Sequence, residues 1–498
     1  MRRPRSCPDL RQKLHFRFRG MVGATVAQHT QTGQLPDADK GQVKVILKNT
    51  NRFLSILAGA ALGAGLSGAS AETLGNALVS AYRTSDLLEQ NQAVLRAADE
   101  DVATSVSSLR PVINWVLQSQ FSDGPLGNSS AAELQLNLNW NLYDFGRSKL
   151  GVEIAKETVL ATREALLGVE QNVLLSAVQA YMDLRRANAT VAIGQTSVRV
   201  IGEQLKATQD RMSLGDATRI DVSQAEAGLA SARATLAVAE GDLAMARSAY
   251  LAEIGHAADS KTTIPPTPAL PKTLAEAQSI AQRLHPAILQ AQHQAKAADL
   301  QVELAAAQRR PTLGLNLQVA EGDSGDTSGL AALQLSQTIY AGGKLSSQHR
   351  KAIAGRDQSR AALTRTGVLI KQSVSNAWSG IEVARAQIVA IDRQIDAASA
   401  VYEGIRDQAA LGSSTTLDVL NAEQDLRQAR SNRATAEANL QVALYSLLAS
   451  MGLLTVDHLN LGIPTYDPEG YYNAVKSAPA TSVQGKSLDR VLKAIGKN

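Results

Sequence analysis

The chain has 498 residues, one cysteine, 4% aromatic residues and a formal net charge of +4. The positive charge comes from residues 1–71, which hold 11 basic and three acidic residues, whereas the remainder holds 39 basic and 43 acidic residues. The composition therefore excludes a disulfide-stabilised scaffold, and the basic overall charge does not indicate nucleic-acid binding.

The first predicted element is a signal peptide within residues 1–71. A basic stretch ending at Arg52 precedes the apolar run FLSILAGAALGAGLSGASA at residues 53–71, which closes on a small-x-small cleavage signature. This order predicts secretion with cleavage before Glu72; a transmembrane anchor is the alternative. Cys7 lies upstream of the cleavage site, so the exported chain would carry no thiol and no lipidation site.

An internal repeat of about 200 residues organises the rest of the chain. NLYDFGR at residues 141–147 matches TIYAGGK at 338–344, and LGDATRIDV at 214–222 matches LGSSTTLDV at 411–419, both at an offset of 197 residues. Such self-similarity predicts two copies of one structural unit. The predicted divisions are an N-terminal extension with signal peptide at 1–71, a first repeat at 72–271, a second at 272–454, and a C-terminal equatorial segment and tail at 455–498.

Each repeat is predicted to contain a helix, two strands and a long helical hairpin. No proline occurs between Pro125 and Pro265 or between Pro311 and Pro464, and proline breaks helix interiors. At 1.5 Å per residue, each long helix would span ~100 Å, which predicts a coiled-coil or tube architecture. The predicted elements are helix 73–107, strands 112–120 and 133–143, and helices 147–213 and 216–254, then helix 273–308, strands 312–320 and 331–340, and helices 344–410 and 414–452.

The last helix of each repeat carries a coiled-coil pattern. Alanines and large apolar residues keep a 4-3 spacing from Ala225 to Tyr250 and again from Ala422 to Leu447, where Arg433 is the one exception. Sustained heptads predict close helix–helix packing. An antiparallel hairpin packed only on itself would show the same pattern.

The predicted strands alternate between apolar and polar residues. In ELQLNLNWNLY at 133–143, leucines and a tryptophan share one face and amides the other, because successive strand side chains point to opposite faces. A soluble sheet would alternate too, but four such strands without another globular region favour a membrane barrel, with the apolar face toward lipid. The candidate lipid-facing residues are Leu134, Leu136, Leu138, Trp140, Leu142, Leu313, Leu315 and Leu317.

The order and doubled spacing of these motifs resemble the TolC-type outer membrane efflux proteins. The resemblance covers about residues 72–476 and lies in strand pairs ending in Tyr-x-x-Gly-Arg/Lys and in the turns LGDATRIDV and LGSSTTLDVLNAEQDL. The closing YDPEGYYNAV resembles the type I secretion branch. The resemblance implies a mixed, mainly α fold with a two-fold repeat: a homotrimeric 12-stranded transmembrane β-barrel continuous with a periplasmic α-helical coiled-coil barrel.

The resemblance also implies a passive exit duct for type I protein secretion, for efflux of small toxic compounds, or for both. The implied partners are two further copies of the chain, a periplasmic membrane fusion adaptor, an inner-membrane ABC or RND pump, and outer membrane lipid. No enzymatic activity, cofactor, metal or nucleic acid is expected. A dedicated small-molecule efflux duct and an exported coiled-coil structural protein without a pore stay open as alternatives.

The turns of the two helical hairpins carry most of the candidate site residues. Thr218 with Asp221, and Thr415 with Asp418, have the spacing of a capping box, which explains part of these residues whatever the function. The resemblance assigns this region to hinge motion and adaptor docking. The residues implied are Leu214, Gly215, Thr218, Leu411, Gly412 and Thr415.

The resemblance further implies a gate at these turns. Three copies of Asp418 near a trimer axis would form a ring of carboxylates at a constriction. Asp221 would help to hold the hairpin turns in a closed arrangement. Where the family often carries a second aspartate, this chain has Asn421, so a doubled acidic ring is not expected. The position of the family's basic latch residue holds Ser414, so this link is either missing or replaced, with Arg219 as the candidate.

Other motifs do not support catalysis or metal binding. The segment Gly342-Gly343-Lys344-Leu345 lacks the upstream glycine and the following Ser or Thr of a phosphate loop. The histidines after residue 71 have no metal-ligand spacing. His285-Pro286 instead predicts a kink in a helix.

Overall fold

The structure is a computed structural model that describes residues 72–124, 127–258 and 262–478. The predicted signal peptide lies outside these residues, as does the end of the C-terminal tail. In the described ranges, no helix is long and apolar enough to cross a membrane. The elements are α1 (Leu74–Thr84), α2 (Asp86–Ser107), β1 (Val112–Gly124), β2 (Gly127–Tyr143), α3 (Arg147–Leu214), α4 (Arg219–Ile254), α5 (Leu274–Leu284), α6 (Pro286–Ala307), β3 (Thr312–Gly322), β4 (Thr327–Ser336), α7 (Lys344–Ala410), α8 (Thr416–Met451) and α9 (Pro468–Val475).

The opening helix of each repeat is broken in two, so the continuous helices predicted over 73–107 and 273–308 are wrong. Ser85 takes an extended backbone and its hydroxyl accepts a hydrogen bond from the backbone N–H of Leu88 at 3.3 Å, which caps α2. His285 is also extended, because proline disfavours helical geometry in the residue before it. The kink predicted at His285-Pro286 is therefore a complete break.

The helices of the two helical hairpins hold about half of the described residues. Helices α3 and α7 have 68 and 67 residues, and their partners α4 and α8 have 36 residues each. Helix α3 also contacts α2, α6 and α8. Arg433, the exception in the heptad pattern of α8, forms an ion pair instead of an apolar contact. Its Nε lies 2.6 Å from Oδ1 of Asp392 on α7.

The largest hydrophobic core lies where the hairpins meet α1 and α5. It contains fully buried aromatic and aliphatic side chains from α3, α4 and α8, including Tyr181, Tyr250 and Leu447. The hydroxyl of Tyr181 lies 2.8 Å from the backbone oxygen of Glu72 and 2.9 Å from that of Thr263, and it accepts from the Thr263 N–H at 3.0 Å, so the start of the described chain is fixed at this core.

The segment after α8 leaves this core and follows α2. The backbone N–H of Tyr466 lies 3.4 Å from the hydroxyl of Tyr82, and the hydroxyl of Tyr471 donates to Glu100 at 2.8 Å. Arg110, two residues before β1, donates to the backbone oxygens of Ser477 and Ala478. The described part of the predicted C-terminal segment thus extends as far as the residues just before β1.

The four strands form one antiparallel sheet in the order β1-β2-β3-β4. The pairing aligns the faces across strands: Trp115 lies opposite Leu136, and Leu136 opposite Val319. On the other face, Asn137 lies between Asn114 and Gln318. The alternation predicted within single strands therefore produces one continuous apolar face and one amide-rich face.

The strand ends differ from the prediction. The first two strands continue through the predicted loop to a hairpin, with Gly124 paired to Gly127. The last strand covers Thr327–Ser336 rather than 331–340, because Ser336 pairs with Thr312 and the preceding Pro311 has no N–H to continue the ladder. In the described chain, β1 and β4 each have one neighbour, so both are open edges.

Candidate functional site at the hairpin turns

A glycine with a left-handed backbone lies one residue after the end of α3 and two residues after the end of α7. Gly215 has φ 85° and its N–H donates to the carbonyls of Arg211 and Met212. Gly412 has φ 76°, and its N–H donates to Ala409 at 3.2 Å. Because left-handed geometry costs little for glycine, the chain can reverse its direction sharply at both turns.

Both predicted capping boxes are present. The Thr218 hydroxyl accepts from the Asp221 N–H at 3.2 Å, and the Thr218 N–H donates to Oδ2 of Asp221 at 2.9 Å. Thr415 and Asp418 repeat these two bonds at the same distances, 3.2 and 2.9 Å. Hydrogen bonds from the hydroxyl and N–H of the capping threonine lower the pKa of both carboxyls, so both are ionised at neutral pH.

A link between the two turns involves Arg211, which the sequence analysis missed. Its Nη1 donates to the carbonyl of Ala409, in the last turn of α7, at 2.7 Å. Its charge also contributes to the lowered pKa of Asp221. The available signal was a basic residue in the last turn of α3, where cations favour the helix dipole.

The other residues considered for a gate are less constrained. Arg219 is exposed and forms no ion pair within the part of the chain that the structure describes, so the structure does not pair it with Asp221. Ser414 donates to the side-chain oxygen of Gln408 at 2.9 Å. Asn421 lies exposed on α8, one turn after Asp418.

Large apolar side chains surround the two turns on the surface. Leu214 is 77% exposed and Leu411 is 86% exposed, and Ile220 and Leu417 are exposed beside them. Clustered exposed apolar residues mark surfaces that contact other proteins. The predicted hinge and docking residues are therefore accessible.

The second candidate surface is the apolar face of the sheet. Five of the eight predicted lipid-facing residues are exposed and three are half-buried. A bulge between Asn141 and Tyr143 shifts the register beside Leu142, and Tyr143 pairs with Leu313. The exposed members are Leu134, Leu136, Trp140, Leu142 and Leu317, and the half-buried ones are Leu138, Leu313 and Leu315. Among the described residues, no group of three or more potential ligands is placed to hold a metal ion.

Comparisons with known proteins agree with this arrangement. The family model of outer membrane efflux proteins matches residues 78–255 and again residues 278–453. The outer membrane efflux protein BepC of Brucella suis is 33% identical over 414 residues, which cover 81% of this chain and 91% of that protein. The outer membrane protein TolC of Vibrio cholerae is 23% identical and covers 81% of this chain and 96% of that protein.

A solved structure of CusC, a protein that forms a transmembrane channel, has the same fold. It superposes with a TM-score of 0.70 at 20% identity and covers 76% of this chain and 91% of that chain. At this identity the likeness concerns the fold alone.

Proposed function

Because the chain belongs to the outer membrane efflux protein family, we propose that it is the outer membrane exit duct of a tripartite export system. The protein is located in the outer membrane, with its helical portion in the periplasm. The observation that carries the proposal is the four-stranded sheet, which has one continuous apolar face, one amide face and two open edges.

The open edges support assembly as a homotrimer. Unpaired strand edges are not tolerated in lipid, and a closed barrel removes them. Three copies of this sheet would close into a barrel of 12 strands, with the leucine face toward lipid and the amide face toward water. The hairpins of the three copies would continue this barrel as a helical tube.

The hairpin turns are the proposed gate. Three ionised Asp418 carboxylates, together with Asn421 one turn further, would line a narrow periplasmic opening and select cations. Asp221 and Arg211 would keep the two turns of one chain together in the closed state, because Arg211 already joins α3 to the end of α7. This role of Arg211 replaces the one expected of Arg219.

The same turns are the proposed docking surface for a periplasmic adaptor, which would connect the duct to an inner-membrane ABC or RND pump. Exposed Leu214 and Leu411 provide apolar anchors, and Gly215 and Gly412 allow the turns to move. Thr218 and Thr415 fix the start of the following helices.

Two kinds of cargo are proposed. The closing YDPEGYYNAV and the expected lack of a lipidated cysteine after the cleavage site support type I protein secretion. The name of BepC, an efflux protein, supports the efflux of small compounds as a second candidate.

Planar-bilayer conductance tests the duct and its gate. We expect discrete conductance steps from the wild type, and larger or longer openings from Asp221→Ala/Asp418→Ala. The matched variant Asp221→Asn/Asp418→Asn keeps an oxygen that can cap the helix but removes the charge. Longer openings in both variants would support a charged gate, and a change in the alanine variant alone would assign the two residues to capping only. A wild type that stays out of membranes and gives no steps would contradict the duct and favour a structural coiled-coil protein.

A further inference from the structure

Basic residues surround the junctions between strands and helices. We call them the basal collar: Arg110, Arg147, Lys149, Arg309, Arg310 and Lys344. The segments that carry them, 107–111, 144–149, 307–311 and 341–345, contain one acidic residue, Asp144. The carboxylate of Asp144 accepts from the backbone N–H groups of Gly146 at 3.1 Å and Ser148 at 2.7 Å, so it caps α3 instead of pairing with a collar side chain.

Hydrogen bonds connect the junctions at β1, β2 and β3. Nη2 of Arg147 donates to the carbonyl of Arg310 at 3.0 Å, and Nη1 of Arg310 donates to the carbonyl of Phe145 at 2.9 Å. Nε1 of Trp140 donates to the carbonyl of Leu109 at 3.2 Å, which ties β2 to the start of β1. The acceptors are neutral carbonyls, and no collar residue forms an ion pair within the described ranges, so the positive charges stay uncompensated.

The helices that start at the collar increase its positive potential. Helices α3 and α7 begin at Arg147 and Lys344, have no acidic residue in the first turn, and have glycine at the N-cap. A helix N-terminus carries partial positive charge, so a basic residue there is unfavourable unless an anion is nearby. For α3 the Asp144 carboxylate is such an anion, whereas α7 has no acidic residue in its first turn or in residues 336–343, so its start points to an anion outside the chain.

Aromatic side chains lie at the same level of the molecule. Trp140, Tyr143 and Phe145 stand at the end of β2 and Tyr340 follows β4, and all four are exposed. Tryptophan and tyrosine concentrate at the boundary between hydrocarbon and headgroups. Arg110 and Arg310 lie two residues before β1 and β3, and Arg147 lies four residues after β2, so these residues would lie at the headgroup level of the periplasmic leaflet.

We propose that the basal collar binds the headgroups of anionic phospholipids in the periplasmic leaflet of the outer membrane. This inference rests on the proposed duct, because it requires the strands to cross that membrane. Arginine matches phosphate oxygens in a fork geometry, and clusters of basic residues next to membrane-spanning segments attract anionic lipids. The bound lipid would supply the negative charge that the start of α7 lacks.

The test uses collar residues whose side chains are exposed and donate no hydrogen bond in the described structure. These are Lys149, Arg309 and Lys344, changed together to glutamine. The matched control replaces three exposed basic residues of the helical hairpin, as Lys206→Gln, Arg233→Gln and Arg247→Gln. Both triple variants lose the same charge, so only the position of that charge differs.

Purified protein in neutral detergent is titrated with phosphatidylglycerol, and the bound lipid is counted by native mass spectrometry. We expect the wild type and the control to retain this lipid and the collar variant to bind it at least about tenfold more weakly. Phosphatidylcholine and inorganic phosphate should neither bind comparably nor displace it. Equal binding by the collar variant, or equal binding of phosphatidylcholine, would overturn the inference.

Conductance in bilayers of phosphatidylcholine separates this inference from the proposed function. We expect the collar variant to give the same steps as the wild type there, because the pore itself is unchanged. Normal steps together with no preference for anionic lipid reject the collar alone. Absence of steps from the wild type rejects the duct, and the collar inference with it.

Discussion

At the scale of single residues, the turn aspartates first stabilise helix ends. Asp221 and Asp418 each accept the N–H of a capping threonine, and these bonds lower both pKa values. A carboxyl with a lowered pKa contributes stability above its ordinary titration range and loses it as the pH falls through the lowered value. Any gating charge at the turns therefore persists throughout the neutral range.

Asp99 is an ionisable residue in an environment that disfavours its charged form. It is fully buried on α2, and neither carboxyl oxygen has a hydrogen-bond partner in the described structure. Burial raises its pKa to about 6, against the opposing effect of the nearby Arg163. Tyr466, from the segment after α8, lies near Asp99 and packs against the apolar cluster of Leu95, Val102 and Val159.

The substitution Asp99→Asn should stabilise the protein at neutral pH. Because the folded state holds the Asp99 proton more tightly than the unfolded state, the wild type loses stability as the pH rises from about 4 to about 6. The variant lacks this titration, so its melting temperature should exceed that of the wild type by a few degrees at pH 7 and match it near pH 4. Thermal unfolding monitored by circular dichroism at several pH values measures the difference.

Asp101→Asn is the control, since Asp101 is exposed on the same helix. It should leave the melting temperature within about a degree of the wild type, as surface substitutions usually do. An Asp99→Asn curve that runs parallel to the wild-type curve across this pH range would show that Asp99 does not titrate there.

At the scale of elements, glycine sets where the helices end. Gly215 and Gly452 both have positive φ values, 85° and 81°. A Cβ on Gly215 would meet no atom within 4 Å, whereas a Cβ on Gly452 would lie 2.7 Å from Cα of His285 and 3.0 Å from the carbonyl oxygen of Leu284. The end of α8 therefore packs directly against the break between α5 and α6.

These two glycines should respond differently to alanine. Gly215→Ala should cost about 1–2 kcal/mol, because only the left-handed backbone is strained. Gly452→Ala should cost a further 1–3 kcal/mol, because backbone atoms must also move apart. Chemical denaturation of the two variants beside the wild type measures both costs, and equal losses would mean that the contact between α8 and His285 relaxes freely.

At the scale of the whole molecule, the sheet has one face for lipid and one for water. Leu136 lies between Trp115 and Val319 on the apolar face, and Asn137 lies between Asn114 and Gln318 on the amide face. The two residues are neighbours in one central strand. Substitutions at these two positions therefore compare the two faces of the sheet at the same depth in the membrane.

Leu136→Arg should reduce membrane assembly, whereas Asn137→Arg should be tolerated. An arginine facing lipid near the middle of the bilayer costs about 2–4 kcal/mol, and an arginine facing a wet interior does not pay this cost. The amount of protein in outer membrane fractions measures assembly, and a shift of single-channel selectivity toward anions is expected for Asn137→Arg. Equal loss of both variants from the membrane would contradict the two-faced barrel.

Much of the fold followed from periodicity along the chain. The long helices, the strand alternation, the capping boxes and the family were predicted, and the family is confirmed by the match over both repeats. The break at Ser85 was missed because a serine within an apolar-periodic segment does not by itself indicate a cap. The continuation of the first hairpin to Gly124 was missed because its Ser- and Asp-rich residues are typical of loops.

Features that depend on neighbours along the chain could be predicted from the residues alone: helix period, strand period, turn glycines and threonine caps. Contacts between distant residues became visible only in the packed molecule. Arg211 contacts Ala409, 198 residues further along the chain, Asp99 is buried near Arg163, and Arg147 and Arg310 join the junctions after β2 and before β3. The reason is physical: local conformation follows from backbone sterics and side-chain spacing, whereas these contacts depend on how helices and strands pack in space.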